Sequence, residues 1–282
     1  MPSTERNTFS KYSACGNDYI VVEPERLSFP LNEGSIRILC DRHKGIGSDG
    51  ILARKESVKA TYGLRVFNPD GGEAEFSGNG VRIFARFARD RLGEKRRSFT
   101  IETQAGITAL TVQESSDPAC RVEAVVTGAG PLDLESAKTA IAIPEVGEIT
   151  GYRVSVGNPH FVVFTDEIDV RRLHAIGGTL QEHPAFPEGV NVELVTPKEG
   201  DKLYIGIWER GVGETLASGS CACAAFLASR ALGHIGGGAR IIMKGGEFWL
   251  ETGQNASLKI SGPVTEIMNG TIGSDLVSLI CE

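Results

Sequence analysis

The chain has 282 residues, 41% hydrophobic and 23% charged, which is enough apolar material for a sizeable core and excludes a disordered or fibrous protein. Its 29 basic and 36 acidic residues leave a net charge of −7, which argues against nucleic acid or an anionic membrane surface as a partner. No stretch approaches the roughly 18 consecutive apolar residues of a membrane span, and the opening MPSTERNTFSKYS lacks the apolar core of a signal peptide, so a cytoplasmic location is expected.

In chain order, Tyr19 to Glu23, Leu64 to Asn68 and Thr100 to Thr103 are short β-branched or aromatic runs bounded by Gly, Asn or Pro, and they are predicted strands. After the first comes Gly45-Ile46-Gly47-Ser48-Asp49-Gly50, which satisfies G-x-G-x-x-G. Dinucleotide binding by that motif needs a strand before it and a helix after it. Here DRHK precedes and strand-like ILAR follows, so no dinucleotide is expected. Gly80 to Leu92 places Val81, Phe84, Ala85 and Ala88 at helical spacing, and Arg82, Arg86, Arg89 and Arg91 are expected to form a solvated face of that helix rather than an anion site. Ser220 to Leu232, SCACAAFLASRAL, is small and apolar almost all round, which predicts a helix buried inside a curved sheet.

The cysteines Cys15, Cys40, Cys120, Cys221, Cys223 and Cys281 are too scattered for a disulfide framework and suit a reducing compartment. Cys221 and Cys223 lack a second Cys or His cluster at metal-ligand spacing, so they are expected to be small buried thiols, with no metal bound.

The chain repeats itself at one offset. GNDYIVV from Gly16 recurs as GNPHFVV from Gly157, LRVFNPDGGE from Leu64 recurs as IGIWERGVGE from Ile205, and Ser77-Gly78 recurs as Ser218-Gly219, each 141 residues on. Three collinear blocks in one register indicate a duplicated domain. The expected division is an N-terminal domain over 1–126 and a C-terminal domain over 127–267, with a final strand over 268–282 returning to the first. Each long helix begins at a Ser-Gly pair, so its unpaired N–H groups and positive dipole end form an anion site, suited to a carboxylate. For either loop alone an ordinary serine cap explains as much.

The segments GNDYIVVE, DRHKGIGSDGIL, FNPDGGEAEFSGNGVRIFARF, VGNPHFVV, GVNVEL and WERGVGETLASGSCACAA resemble, in order and spacing, the signature segments of the diaminopimelate epimerase family. The resemblance implies an α/β fold of the α+β type. Two pseudo-twofold-related domains would each wrap a mainly antiparallel sheet around a central helix, with the active site in the cleft between them. It implies cofactor-independent inversion of an amino-acid α-carbon by two-base proton transfer, LL- to meso-diaminopimelate in lysine biosynthesis, with neither pyridoxal phosphate nor metal, by a homodimer acting on a small amino-acid substrate.

By the same resemblance Asn17, Asn68, Asn158 and Asn191 match side-chain amides that bond substrate, and Glu209 and Arg210 match the pair that meets its ammonium and distal carboxylate. Gly78, Asn79, Gly219 and Ser220 match the backbone cradle of the reacting carboxylate. His160 matches a polar neighbour of the first base, and Asp70 and Glu214 are expected in supporting places. The family's two catalytic cysteines match Ser77 and Ser218, which is the main departure. A thiol ionises near neutrality at a helix N-terminus, whereas a serine hydroxyl needs help from a neighbouring base. Three readings stay open: an engineered double Cys-to-Ser form that binds without turnover, a natural subfamily with altered chemistry such as a hydroxyproline-dehydratase-like enzyme, or a binding module.

Overall fold

The structure is a computed structural model that describes residues 6–113, 120–126, 133–144, 146–253 and 257–282. It divides into two compact units, Met1–Ala124 with Gly262–Glu282, and Val125–Ser261. The expected division after residue 126 abuts residues 127–132, which lie outside the described residues.

The first unit runs β1 (Thr8–Ala14), β2 (Asn17–Val22), α1 (Glu33–Cys40), β3 (Ile51–Lys55), β4 (Tyr62–Phe67), β5 (Glu73–Ala74), α2 (Gly78–Arg91), β6 (Ser98–Thr103), β7 (Gly106–Gln113) and β8 (Cys120–Val126), the last crossing into the second unit. In the second follow α3 (Leu134–Ala137), β9 (Lys138–Ile143), β10 (Gly147–Ser155), β11 (Pro159–Phe164), α4 (Val170–Leu180), β12 (Asn191–Lys198), β13 (Lys202–Glu209), β14 (Gly213–Thr215), α5 (Gly219–Ala231), β15 (Gly238–Met243) and β16 (Gly246–Thr252). The chain then returns through β17 (Leu258–Thr271) to α6 (Ser274–Cys281).

Both units use the same pairing scheme. β2 pairs parallel to β3 and β4 parallel to β6, and in the second unit β11 pairs parallel to β12 and β13 parallel to β15. The hairpins around them are antiparallel. Ile20 opposite Ile51 and Phe161 opposite Val192 are the same pair at the 141-residue offset.

Strand alternation explains the packing, because successive side chains leave a strand on opposite faces. Tyr19 and Val21 of β2 join the cluster around Val81, Phe84, Ala85 and Ala88 of α2, while Ile20 and Val22 face Ile36 and Leu39 of α1. The sheet is therefore apolar on both faces, with α2 as the central helix of its unit. In the second unit α5 packs on β10, β11, β12 and β13 and is buried continuously from Cys221 to Ser229, as a helix apolar all round requires. Phe161 and Val163 face the other way, onto Leu173 and Ile176 of α4.

Two expectations need correction, and the register of the repeat changes once. Residues 268–282 are not one strand: β17 ends at Thr271 and α6 follows, its Leu276, Val277 and Ile280 packing at helical spacing on the α1 cluster. The 141-residue offset of the three blocks falls to 140 along the central helices, as the spans Gly80 to Leu92 and Ser220 to Leu232 already imply. α2 has 14 residues and α5 has 13, so Gly93 and Gly233, both with positive φ just past a helix end, are only 140 apart. Arg82 is not on a solvated face. It is fully buried, its charge met by the Gly78 carbonyl and the Asn79 side-chain oxygen in the turn before it.

Candidate active site

The first-repeat site grows from the hairpin of β1 and β2, whose two-residue turn, Cys15-Gly16, has positive φ at both positions, the geometry that matches strand twist. It sets Asn17 and Asp18 at the start of β2. Asp49 accepts from the Asn17 side chain at 3.1 Å and from the Asp18 backbone at 3.0 Å, and Arg42 bridges Asp18 and Asp49. The glycine-rich loop 45–50 thus lies between helix α1 and strand β3, the reverse of a dinucleotide fingerprint, and clamps the Asn17 turn. A β-carbon at Gly45 would come 1.9 Å from the Ile38 carbonyl oxygen, so that glycine serves close packing against α1.

Ser77 caps α2. Its Oγ accepts from the Gly80 N–H at 3.0 Å and from the Tyr19 hydroxyl at 3.2 Å. Asn79, in the first turn, reaches Asn17 Oδ1 at 3.4 Å. Asn17, Ser77 and Asn79 are thereby gathered with Gly78 at one helix N-terminus. Asn68 is exposed on the tight turn that closes onto Gly72. Asp70 is spent on that turn, accepting from the Gly72 N–H at 2.8 Å.

The second repeat is built differently. Ser218 starts α5, but its side chain caps nothing; Oγ lies 3.3 Å from Ser220 Oγ. One turn on stands Cys221, where the first repeat has Gly80. A β-carbon at Gly80 would lie 3.0 Å from both Ser77 Cβ and Leu52 Cδ2, so the first repeat is tight at that position while the second carries a thiol. Burial pushes the Cys221 thiol well above its ordinary pKa. The nearby carboxylates Glu193 and Glu209 push the same way, while a hydrogen bond from the Ser218 hydroxyl opposes them. Cys223, wholly buried, is pushed up to about 12.

His160 and Glu193, opposite sides of the parallel β11–β12 ladder, meet through Nδ1 and Oε1 at 2.6 Å with no exposure at either side chain, and His160 Nε2 lies 2.9 Å from Asn158 Oδ1. Asn191 is engaged at both ends, donating to the Pro159 carbonyl at 3.1 Å and accepting from the Arg210 backbone N–H at 2.9 Å. Arg210 is exposed and its Nη1 donates to the Glu188 carbonyl at 3.0 Å. Glu214 does not support this group: it is drawn outward by His174 at 2.8 Å and Lys244 at 3.2 Å.

Cys221 is therefore not an isolated thiol. Donor atoms of His160, Glu193 and Cys221 all lie within 4.8 Å of one another, the one such set that could hold a metal ion among the described residues. The spacing argues for a proton instead: donors around a tetrahedral zinc stand roughly 3.3 Å apart given the usual metal–ligand distances, whereas His160 and Glu193 are at 2.6 Å. Sequence reasoning missed Tyr19, Glu193 and the grouping of Cys221. The available signal was Glu193 itself, a carboxylate inside the otherwise apolar run Val192 to Val195.

A family model described as diaminopimelate epimerase matches residues 9–130 and 152–266, most of both units. The chain belongs to the diaminopimelate epimerase family. Among relatives of this family member, "Diaminopimelate epimerase 2" of Nostoc sp. is 35% identical over 279 residues, covering 96% of this chain and 97% of the relative. The diaminopimelate epimerase of Leptospira biflexa is 35% identical over 276 residues, covering 94% and 98%. The crystal structure of a hydroxyproline epimerase from Agrobacterium vitis superposes with a TM-score of 0.69 at 16% identity over 98% of this chain and 94% of that one, which shows a shared fold. No helix among the described residues is long and apolar enough to cross a membrane.

Proposed function

We propose that this epimerase-family chain is a diaminopimelate epimerase-like isomerase that takes LL- to meso-diaminopimelate for lysine biosynthesis, removing the α-proton on one face and returning a proton on the other without a cofactor. The observation that carries this reading is that each repeat begins its central helix at a Ser-Gly pair, inside a family match that covers most of both units; by resemblance these serines stand where the family has its two bases.

Ser77 and Ser218 are the acid–base groups, one from each repeat. At Ser77 the Gly80 N–H, the dipole of α2 and the Tyr19 hydroxyl all favour negative charge on Oγ. The first-turn amides at Gly78, Asn79, Gly219 and Ser220 lack partners within their helices and receive the reacting carboxylate. Asn17, Asn68, Asn158 and Asn191 orient the substrate, Glu209 meets its ammonium, and exposed Arg210 meets its distal carboxylate. His160, held by Glu193, is the polar neighbour that the resemblance sets beside the first base. The same reading has a homodimer, as the family resemblance implies, working in the cytoplasm, which suits the free thiols Cys15, Cys40, Cys221, Cys223 and Cys281.

The test is to incubate LL-diaminopimelate with the full chain in heavy water. The expected result is meso product carrying α-deuterium. Binding with neither inversion nor exchange would leave a binding module, and release of water or a keto acid would point to a dehydratase.

A further inference from the structure

Ser218 and Cys221 are three residues apart on the first turn of α5, so their side chains share one helix face. Cys221 stands at the third helical position after the Ser218 cap residue, and its thiol lies within 4.8 Å of a carboxylate oxygen of Glu193. Glu193 is wholly buried, yet its Oε2 has no partner within ordinary hydrogen-bond distance, while Oε1 is occupied by His160 at 2.6 Å. A buried carboxylate oxygen left without a donor is costly. The Cys221 thiol, within 4.8 Å of the carboxylate, is a donor already in place to approach it. Catalytic hydrogen bonds are often long in ligand-free structures and tighten on binding. The first repeat has no counterpart, because Gly80 occupies the matching position and Ser77 instead takes a backbone cap.

We infer that Cys221 and Glu193, with Glu193 held by His160, form a buried proton relay behind Ser218 that enables this hydroxyl to exchange a proton with the substrate α-carbon. The inference rests on the isomerase reading above. In the direction of proton removal, the Cα–H bond breaks as Ser218 Oγ gains that proton. The hydrogen originally on Ser218 passes to Cys221 Sγ, and the thiol hydrogen passes to Glu193 Oε2. One carboxylate becomes a carboxylic acid as one carbanion forms, so charge balances and no oxidant or cofactor is consumed. Proton return runs the same three transfers backwards. The relay residues act through Ser218 and need not touch substrate.

The test measures inversion of diaminopimelate, and α-proton exchange in heavy water, for the full chain and for Cys221→Ala, Cys221→Ser and Glu193→Gln. Cys221→Ala should lower kcat about a hundredfold or more, the scale of positioned acid–base catalysis, with KM within about threefold. Glu193→Gln should match it, since an amide cannot accept the proton. Cys221→Ser keeps an O–H in the wire and should retain kcat within about tenfold of the parent. A merely structural thiol would show the opposite order, because serine in a dry pocket disturbs packing more than alanine does. If Cys221→Ala fails to fold, the contrast between Cys221→Ser and Glu193→Gln decides, and a fully active Glu193→Gln overturns the relay. A parent that binds diaminopimelate without exchange removes the isomerase reading and the relay with it. An active parent with an equally active Cys221→Ala removes the relay alone.

Discussion

Tyr19 donates its phenolic hydrogen to Ser77 Oγ at 3.2 Å, on the oxygen that also takes the Gly80 N–H at 3.0 Å. Two donors converging on one hydroxyl oxygen favour negative charge there, which is what a serine acting as a proton acceptor lacks on its own. Tyr19→Phe keeps the ring in the core and removes one donor. A lost bond to a charged group is worth about 1.5–3 kcal/mol, so kcat for inversion should fall roughly tenfold to a hundredfold while KM stays nearly constant. Steady-state kinetics with both diaminopimelate stereoisomers measures this, and an unchanged kcat would show that Ser77 Oγ gains no charge.

The two serines should also separate in stability. Ser77 caps α2 through Oγ and the Gly80 N–H, whereas Ser218 makes no side-chain cap to α5. Replacing a capping serine by alanine costs about 1 kcal/mol. Ser77→Ala should therefore lose about that much in urea unfolding, and Ser218→Ala clearly less. Equal losses would contradict the asymmetry of the two caps.

Much of this was legible in the chain. The 141-residue repeat, the two central helices and the all-round burial of α5 follow from periodicity and composition, because those signals are local. Arg82 was misplaced because an arginine in an amphipathic pattern reads as solvent-facing, and only the fold shows the Asn79 and Gly78 oxygens that meet its charge. Cys221 looked solitary because its partners come from β11 and β12, 61 and 28 residues upstream, and are brought to it by parallel strand pairing. The short final helix was hidden by β-branched and aliphatic residues that suit a strand equally well. That Ser77 and Ser218 match the family's cysteines by resemblance was readable in the chain, but the surroundings of each serine were not, since Tyr19 and Cys221 reach them only in the fold.

Asp18 sets a pH dependence of folding. Burial alone would raise its pKa, but hydrogen bonds from Arg42 and Lys11 outweigh burial and hold the carboxyl at about 2. The unfolded value is about 3.9, so the native state binds this proton less readily. The stabilisation is complete above pH ~4 and is lost as pH falls toward 2, a contribution of about 2 kcal/mol. Urea unfolding of the parent and of Asp18→Asn at pH 5 and pH 2 isolates it. The parent should lose about 2 kcal/mol more than the variant across that window, and parallel losses would show that Asp18 is not the group responsible.

The serines themselves give the sharpest prediction. Ser77→Cys with Ser218→Cys should raise inversion of diaminopimelate by about a hundredfold or more, because a thiol at a helix N-terminus ionises near neutrality while a hydroxyl does not. At position 77 the Gly80 N–H and the Tyr19 hydroxyl would lower the new thiol's pKa, and at position 218 the first-turn amides of α5 would do so. Each single variant should gain much less, since one of the two proton transfers would still depend on serine. The double variant also separates the two ideas advanced above: a thiol at position 218 exchanges its proton directly and no longer needs Cys221, so adding Cys221→Ala to the double-cysteine protein should cost little, whereas the same change in the parent should be severe. Measurements under reducing conditions keep the new thiol from pairing with Cys221 one turn away. A double-cysteine protein that binds diaminopimelate yet neither inverts it nor exchanges its α-proton would refute the isomerase reading. One that inverts rapidly but still collapses on Cys221→Ala would assign Cys221 to the integrity of α5 instead of to proton transfer through Ser218.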